Sequence, residues 1–320
     1  MKKNERIVYF YDVKISSQSA SFDAPNTISV KDALHLIQKL DEPSRRRAVQ
    51  KGLQTIYIKD FKISADKAVL LVNKSDQTIS DPVFTNLVEG GRRVIEKYEN
   101  EGQDFSIHMV ISLKESLDSP ALAICEHNSG LSVLLVQRVL NGLLRQAKRL
   151  APEKYEWIHP DGSKDAKGNP KKYKVNYKFE FTGHISEEFA NDLNNGKIHS
   201  IELITDKNEH EAFDDSGHVT EKYSSVTLSV VNDEESTVDK LKLLKQVFDR
   251  NKADYSKAKV RFKSPEGTER TVEIDVETQV PNIENYVKKA KLDSFDEILQ
   301  ASYESINSKI VKKITALFNA

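Results

Sequence analysis

The pattern of apolar and polar positions is clearest between residues 105 and 150, where two short apolar runs lead into a long helical repeat. After Ser129 and Gly130, which are expected to open the helix, apolar side chains recur at alternating steps of three and four residues. They are Val133, Val136, Leu140, Leu143, Ala147 and Leu150. This spacing places them on one face of an α-helix, so we expect that face to pack against a core.

The opposite face of the predicted helix is polar and mostly basic. It carries Arg138, Asn141, Arg145 and Arg149, again at helical spacing. A row of guanidinium groups on a rigid helix is suited to a phosphate backbone, but it also keeps an ordinary surface helix solvated. A helix-turn-helix interpretation is disfavoured, because a strand precedes the helix and residues 133–136 are too apolar for a DNA groove.

The rest of the chain alternates irregularly between strand and helix patterns. Runs such as RIVYFYDVKI (6–15) and YKVNYKFEFT (173–182) predict strands. A capping box at Ser294 and Glu297 predicts a helix over 295–318. The pattern therefore predicts an α+β fold with mixed, mainly antiparallel sheets, flanking helices and a long C-terminal helix.

A stretch rich in Gly, Pro and Lys predicts how the chain is divided. Residues 152–172 have the composition of an exposed basic loop, which would separate an N-terminal α+β domain (1–151) from a C-terminal α+β domain (173–320). Six lysines fall within fifteen residues that start in this loop and run into the strand after it: Lys164, Lys167, Lys171, Lys172, Lys174 and Lys178. Such lysines suit phosphate contacts that do not read bases, although a solvated surface explains them equally well. A third basic cluster is the arginine triplet 45–47. As a candidate for phosphate binding it ranks below the arginine face of the helix and the lysine-rich segment.

Composition limits which class of protein and which cellular compartment are expected. A formal net charge of -1 over 320 residues excludes a uniformly basic nucleic-acid coat, so any phosphate-binding surface must be local. The sequence shows no leader pattern and no run of about 20 apolar residues, which predicts a cytoplasmic protein that does not itself span a membrane. The single cysteine, Cys125, fits a reducing compartment and is predicted to be buried and inert.

Catalytic signatures are missing from the sequence. It contains no phosphate-cradling glycine loop, zinc-protease motif or nucleophile elbow, so no catalytic residue, metal or cofactor is predicted. Asp275, Glu277 and Gln279 share one face of a strand and leave a metal-dependent nuclease as an alternative. A second metal alternative is the acidic loop around 209–215, whose side chains suit a divalent cation: Glu209, His210, Glu211, Asp214 and Asp215. A polar strand edge and a solvated acidic loop account for both without a metal.

Several segments resemble known proteins. The runs are DPVF (81–84), HMVISL (108–113), GLS (130–132), QRVLN (137–141), FEFTGH (179–184) and IHSIELI (198–204). They resemble a widespread bacterial family of about this length whose function is uncharacterised. The order of parts, ending in a hairpin and a terminal helix that contains Tyr303, is similar to that of RexA-type phage-exclusion proteins. That resemblance implies a DNA-binding homodimer that acts in abortive infection with a membrane-protein partner encoded nearby.

These observations lead to one main hypothesis and two alternatives. The main hypothesis is a cytoplasmic, non-enzymatic sensor or effector of phage defence that binds double-stranded DNA largely independently of sequence. Its expected contacts are Arg138, Asn141, Arg145, Arg149, Lys164, Lys167, Lys171 and Lys172. The alternatives are a protein-interaction module with no nucleic-acid role, and the metal-dependent nuclease.

Overall fold

The computed structural model describes residues 3–113, 120–205, 224–229, 239–276 and 287–319. The described residues form an α+β fold with mainly antiparallel sheets, which confirms the predicted class. The chain divides into two compact units. Unit 1 comprises residues 1–8, 13–181 and 291–320, and unit 2 comprises residues 9–12 and 182–290. This division differs from the expected boundaries at 151 and 172, because residues 152–181 and the end of the chain are grouped with unit 1.

The described elements are sixteen strands and five α-helices. The strands are β1 (Arg6–Gln18), β2 (Arg46–Val49), β3 (Gln54–Ile63), β4 (Lys67–Asp76), β5 (Val83–Asn86), β6 (Gly91–Val94), β7 (Gln103–Ser112), β8 (Ala121–Glu126), β9 (Glu156–Ile158), β10 (Lys172–Lys174), β11 (Asn176–Gly183), β12 (Lys197–Thr205), β13 (Ser224–Ser229), β14 (Lys257–Lys263), β15 (Glu269–Asp275) and β16 (Lys289–Leu292). The helices are α1 (Val30–Gln38), α2 (Val133–Leu150), α3 (Glu187–Asn195), α4 (Lys240–Asn251) and α5 (Ser308–Ala316).

Unit 1 is built on the large sheet, whose strand order is β11-β1-β8-β7-β4-β3-β2, with β16 paired to β1. β4 and β7 are antiparallel neighbours at its centre and are buried over most of their length. Strands covered on both faces are apolar without alternation, which explains the continuous run AVLLV in β4. Helix α2 packs against α1 and β3, and α5 packs against β7.

Unit 2 contains an antiparallel four-stranded sheet of order β13-β12-β14-β15. Helices α3 and α4 pack with it around an apolar core that includes Phe189, Phe248 and Phe262. Ser186 caps α3 by accepting a hydrogen bond from the Phe189 N–H, as is typical of an N-cap serine. The buried Asp192 on α3 pairs with Arg270 on β15 at 2.7 Å, which ties helix to sheet.

A buried ionic network crosses the large sheet in unit 1. Arg6 Nε lies 3.2 Å from a carboxylate oxygen of Glu126, and both side chains are about 1% exposed. The other Glu126 oxygen is 2.5 Å from Nδ1 of His108, and His108 Nε2 accepts from the Asn307 N–H at 2.9 Å. These partners assign the proton to Nδ1, because Nε2 acts as the acceptor. Both ring nitrogens of His108 are therefore hydrogen-bonded within the core, which gives this residue a structural role.

The prediction of a long C-terminal helix is wrong. Helix α5 has nine residues and begins only after Asn307, whose side chain accepts from the N–H groups of Lys309 and Ile310. Before it, backbone N–H groups donate to side chains of the sheet instead of to carbonyls one turn earlier. These bonds are Tyr303 N to Ser106 Oγ, Ile306 N to Asp60 Oδ2 and Asn307 N to His108 Nε2. The apolar spacing over 295–306 resembles a helix, but external hydrogen-bond partners hold the segment in a non-helical path, so Tyr303 is not helical.

We expect Glu126→Ala to lower the free energy of unfolding of unit 1 by about 3–5 kcal/mol, because Arg6 would keep a buried, uncompensated charge. Urea denaturation followed by the fluorescence of Trp157, the single tryptophan, measures this. The exposed Glu99→Ala is the control and should change stability by about 0.5 kcal/mol or less. A loss below about 1 kcal/mol for Glu126→Ala would contradict the structural role of the network.

Cys125 should be unreactive in the folded protein. Its side chain is buried, as predicted, and burial raises the pKa of its thiol, so the neutral form predominates at mildly alkaline pH. A chromogenic disulfide reagent should release no thiolate from the native protein and one equivalent after denaturation. Rapid labelling of the native protein would show that this part of β8 opens readily.

Candidate nucleic-acid interface

Helix α2 provides one wall of a basic groove in unit 1. The helix begins after Ser132, whose hydroxyl accepts from the Leu135 N–H, and not at Ser129 or Gly130 as expected from the sequence. Its predicted apolar face is buried at Val136, Leu140, Leu143 and Ala147 and is exposed at its last position, Leu150. The neighbouring stripe presents three exposed arginines. They are Arg138, Arg145 and Arg149.

Strand β2 and the turn that follows it provide the second wall. The two walls enclose a groove of about 530 Å³. Its lining contains four arginines, three glutamines and small or apolar residues. The lining residues are Arg47, Ala48, Val49, Gln50, Gln54, Ile56, Leu135, Arg138, Val139, Gly142, Arg145, Gln146 and Arg149. Within the described residues, no aspartate or glutamate lines the groove, so the four positive charges have no acidic neighbour on its walls.

Arg47 is the recessed member of this set. Its Nη2 donates to the carbonyl oxygen of Gly142 at 2.5 Å, and its buried Nε has no hydrogen-bond partner among the described residues. A Cβ on residue 142 would lie 3.0 Å from that Nε. Glycine inside a helix costs about 1 kcal/mol relative to alanine. The close approach of Arg47 gives this glycine a physical explanation.

The arginines are close enough to affect one another. The pKa of Arg47 is lowered, mainly by partial burial and further by the positive charges of Arg145 and Arg149. Like charges held together without an acidic partner repel each other, and a bound anion relieves that repulsion. The groove therefore offers the charge that binding of an anion would require.

The turn between β2 and β3 has an unusual backbone. Gln50, Lys51 and Gly52 all have positive φ, at 48°, 57° and 94°. Two non-glycine residues in the left-handed region are uncommon, and such strain is often found at functional sites. The turn also places Gln50 on the groove wall, while Gln54 is fixed there by a hydrogen bond from its Nε2 to Asp76 at 2.8 Å.

Asn141 does not line the groove with the arginines. Its side chain accepts from the Phe179 N–H at 2.6 Å and donates to the Phe179 carbonyl at 3.2 Å. Gln137, one helical turn earlier, accepts from the Phe181 N–H at 2.8 Å. Both residues therefore satisfy the main chain of β11, which is at the end of the sheet order and would otherwise offer an unpaired edge.

The predicted lysines lie on a different element. Lys164, Lys167 and Lys171 are exposed on the connection between β9 and β10, where Lys164 forms a bridge with Pro170, and the exposed Lys172 begins β10. Asp165 shapes its tip by accepting from the N–H groups of Lys167 and Asn169. Lys172 also lies 3.7 Å from Glu156, so part of its charge is offset. The structure thus gathers three of the predicted arginines into one site and carries the lysines on a separate hairpin.

The most important residue that sequence reasoning ranked too low is Arg47. Its first signal was membership of the basic triplet 45–47, and nothing local distinguished it from Arg45 or Arg46. The pairing of β2 with β3 and the packing of α2 on β3 bring it to the helix. Gly142 was a second signal, since glycine in the middle of a strong helical pattern indicates a close approach.

The metal alternatives gain no geometric support where they can be assessed. The described residues hold no group of three His, Cys, Asp or Glu side chains arranged to bind a metal ion. Asp275 lies on β15 opposite Lys257. Glu277, Gln279 and the loop 209–215 lie outside the described residues.

Comparison with known proteins assigns no family. The sequence matches no protein-family model, and no curated protein matches it. Over the described part of the chain, none of the helices has both the length and the apolar character that a membrane span requires.

We expect Asn141→Ala to destabilise unit 1 by about 1–3 kcal/mol, because the polar main-chain groups of Phe179 lose their partner. Affinity for an anionic ligand should stay within about twofold of wild type, since this side chain faces β11 and the bonds of Gln137 and Lys148 still hold the helix in place. Urea denaturation and DNA-binding titrations on the same preparation test both parts. Weaker DNA binding without loss of stability would contradict this expectation and show that Asn141 contacts the ligand.

Proposed function

We propose that this protein binds double-stranded DNA through the arginine groove, by phosphate contacts and without catalysis. The observation that carries the proposal is a concave surface with four arginines and, among the described residues, no carboxylate on its walls. Guanidinium groups match phosphate geometry in a bidentate manner. If α2 were only a solvated surface helix, its exposed arginines would be explained. The close approach of Arg47 to Gly142 from another strand would not be explained.

The spacing of the charges favours an extended polyanion over a single phosphate group. Arg138 and Arg149 are eleven positions apart on α2, a distance of about 16 Å at 1.5 Å per residue. A DNA strand carries one phosphate per about 3.4 Å of helix axis, so the row spans about five phosphates. Contacts of this kind hold the backbone without reading bases. In this proposal, the exposed lysines of the β9–β10 hairpin contribute further, weaker contacts.

The biological setting is proposed from the resemblance alone. RexA-type proteins suggest that DNA binding serves phage defence in the cytoplasm, with a homodimer as the acting form and a membrane protein as partner. Phage plating on cells that carry wild type or groove variants tests this setting separately from the binding itself. If variants that no longer bind DNA protect cells against phage as well as wild type does, the groove is not needed for defence.

The groove is tested by charge reversal. We expect Arg145→Glu/Arg149→Glu to weaken binding of an arbitrary labelled duplex at least tenfold and to reduce the slope of log K against log salt by about two, one per lost phosphate contact. Lys242→Glu/Arg250→Glu on α4 makes the same change in net charge at exposed positions and is the matched control. Affinity is measured by fluorescence anisotropy across a salt series, with and without magnesium.

Each alternative predicts a different result in the same titration. Normal binding and an unchanged salt slope in the folded Arg145→Glu/Arg149→Glu variant would remove the groove from the interface. Magnesium-dependent loss of the DNA would instead support a nuclease. A wild-type protein that does not bind DNA even at low salt would leave a protein-interaction module.

A further inference from the structure

A two-stranded arm extends from unit 1. All eight residues of β5 and β6 are exposed, and the turn between them carries Leu87 and Val88 at 91% and 95% exposure. Exposed apolar side chains that are grouped in this way, and not scattered, mark an interaction site. The DNA-binding groove does not account for them, because none of them lines it.

The tip of the arm is ordered by its own hydrogen bonds. The Asn86 side chain accepts from the N–H groups of Val88 and Glu89 at 3.0 and 3.2 Å and donates to the Glu89 carboxylate at 2.8 Å. The Gly90 N–H closes the turn on the Asn86 carbonyl at 2.9 Å. Glu89 is therefore held at Asn86, and Leu87 and Val88 form a fixed apolar tip.

The arm carries one arginine on each of its faces. In the antiparallel register Arg93 is opposite Phe84 and Arg92 is opposite Thr85. Directly opposed residues share a face, and successive residues on one strand point to opposite faces. The Arg93 guanidinium accordingly lies over the Phe84 ring, 5.2 Å from its centroid, while Arg92 projects from the other side.

We propose that this arm lies in the minor groove of duplex DNA, with Leu87 and Val88 wedged against a base step. Arg92 and Arg93, on opposite faces, then reach the two phosphate strands that border the groove. Apolar wedges of this kind partly unstack a base step and kink the duplex by about 20–90°. The inference rests on the proposed function, since it adds a second contact to DNA held by the arginine groove.

The arm and the groove start from the same end of the sheet. Gln54, on the groove wall, bonds to Asp76 at the end of β4, and the next residue, Gln77, donates its N–H to the Leu53 carbonyl at 2.9 Å. Lys97, where the arm returns, donates to the carbonyls of Gln77 and Ile79. The base of the arm and the wall of the groove are therefore joined through Gln54 and Gln77, and in the proposed complex one duplex contacts both.

Charge decides between DNA and a second copy of the chain as the occupant. Within the arm, 83–94, the ionisable residues are Glu89, Arg92 and Arg93, and Glu89 is bonded to Asn86. Two guanidinium groups that flank an apolar tip complement a polyanion on both sides. If the arm bound a second copy of the chain, that copy would have to supply acidic groups for both Arg92 and Arg93 at the same interface.

The test measures DNA bending by energy transfer between dyes at the two ends of a duplex of about 30 base pairs. Wild type should raise the transfer efficiency on binding. Leu87→Ser/Val88→Ser should still bind but leave the duplex as straight as free DNA, and Arg92→Ala/Arg93→Ala should lower both affinity and bending. Ile298→Ser, which changes an exposed apolar residue outside the arm, should behave as wild type.

Several results would overturn the proposal. Binding by wild type without bending, or bending by Leu87→Ser/Val88→Ser equal to wild type, would remove the wedge while leaving the groove assignment intact. Loss of self-association in the tip variant, measured by sedimentation and with DNA bending unchanged, would assign the arm to a second copy. Absence of any DNA binding by wild type would reject the groove and the arm together.

Discussion

Helix α2 is held to the sheet edge by hydrogen bonds from its side chains to the main chain of β11, and the candidate site depends on this attachment. Gln137 and Asn141 occupy successive turns and satisfy Phe179 and Phe181, while Lys148 donates to the carbonyl of Val175. These bonds fix the rotation of the helix about its axis. With the apolar stripe buried and the amide stripe on β11, the arginine stripe is left to face β2.

A second constraint ties the two ends of the chain into unit 1. Arg6 on β1 pairs with Glu126 and also donates to the Gln300 carbonyl at 2.6 Å, while the Leu299 N–H donates to the Lys3 carbonyl. Buried charges are stable only when they are paired and hydrogen-bonded, so this network specifies one arrangement of the strands and of the C-terminal segment. Residues about 300 positions apart in the sequence are thereby bonded to each other beside the sheet that supports α2.

The groove and the arm use charge in different ways. In the groove, the arginines have no carboxylate beside them on the walls among the described residues, and Arg47 is held by its hydrogen bond to the Gly142 carbonyl. In the arm, the charges stand apart on opposite faces of a ribbon, and the apolar residues are concentrated at its tip. In the proposed complex, the groove would face a row of phosphates and the arm a narrow groove bordered by two strands.

Sequence reasoning was most reliable where the signal was local. The helical repeat in α2, the alternation in β11 and the burial of Cys125 follow from spacing and residue type, and the structure confirms them. Asn141 was placed with the arginines because a helical projection shows which residues share a side. A projection does not show that a neighbouring strand edge needs hydrogen-bond partners.

The sequence by itself determined the α+β class, the position of α2 and the presence of exposed arginines on it, because these depend on periodicity over a few turns. The tertiary structure alone decided that Arg47 joins those arginines, since this requires β2 to pair with β3 and α2 to pack above them. It also decided that residues 295–307 are not helical. Their N–H groups find acceptors on strands far away in sequence, and no local pattern records where those acceptors lie.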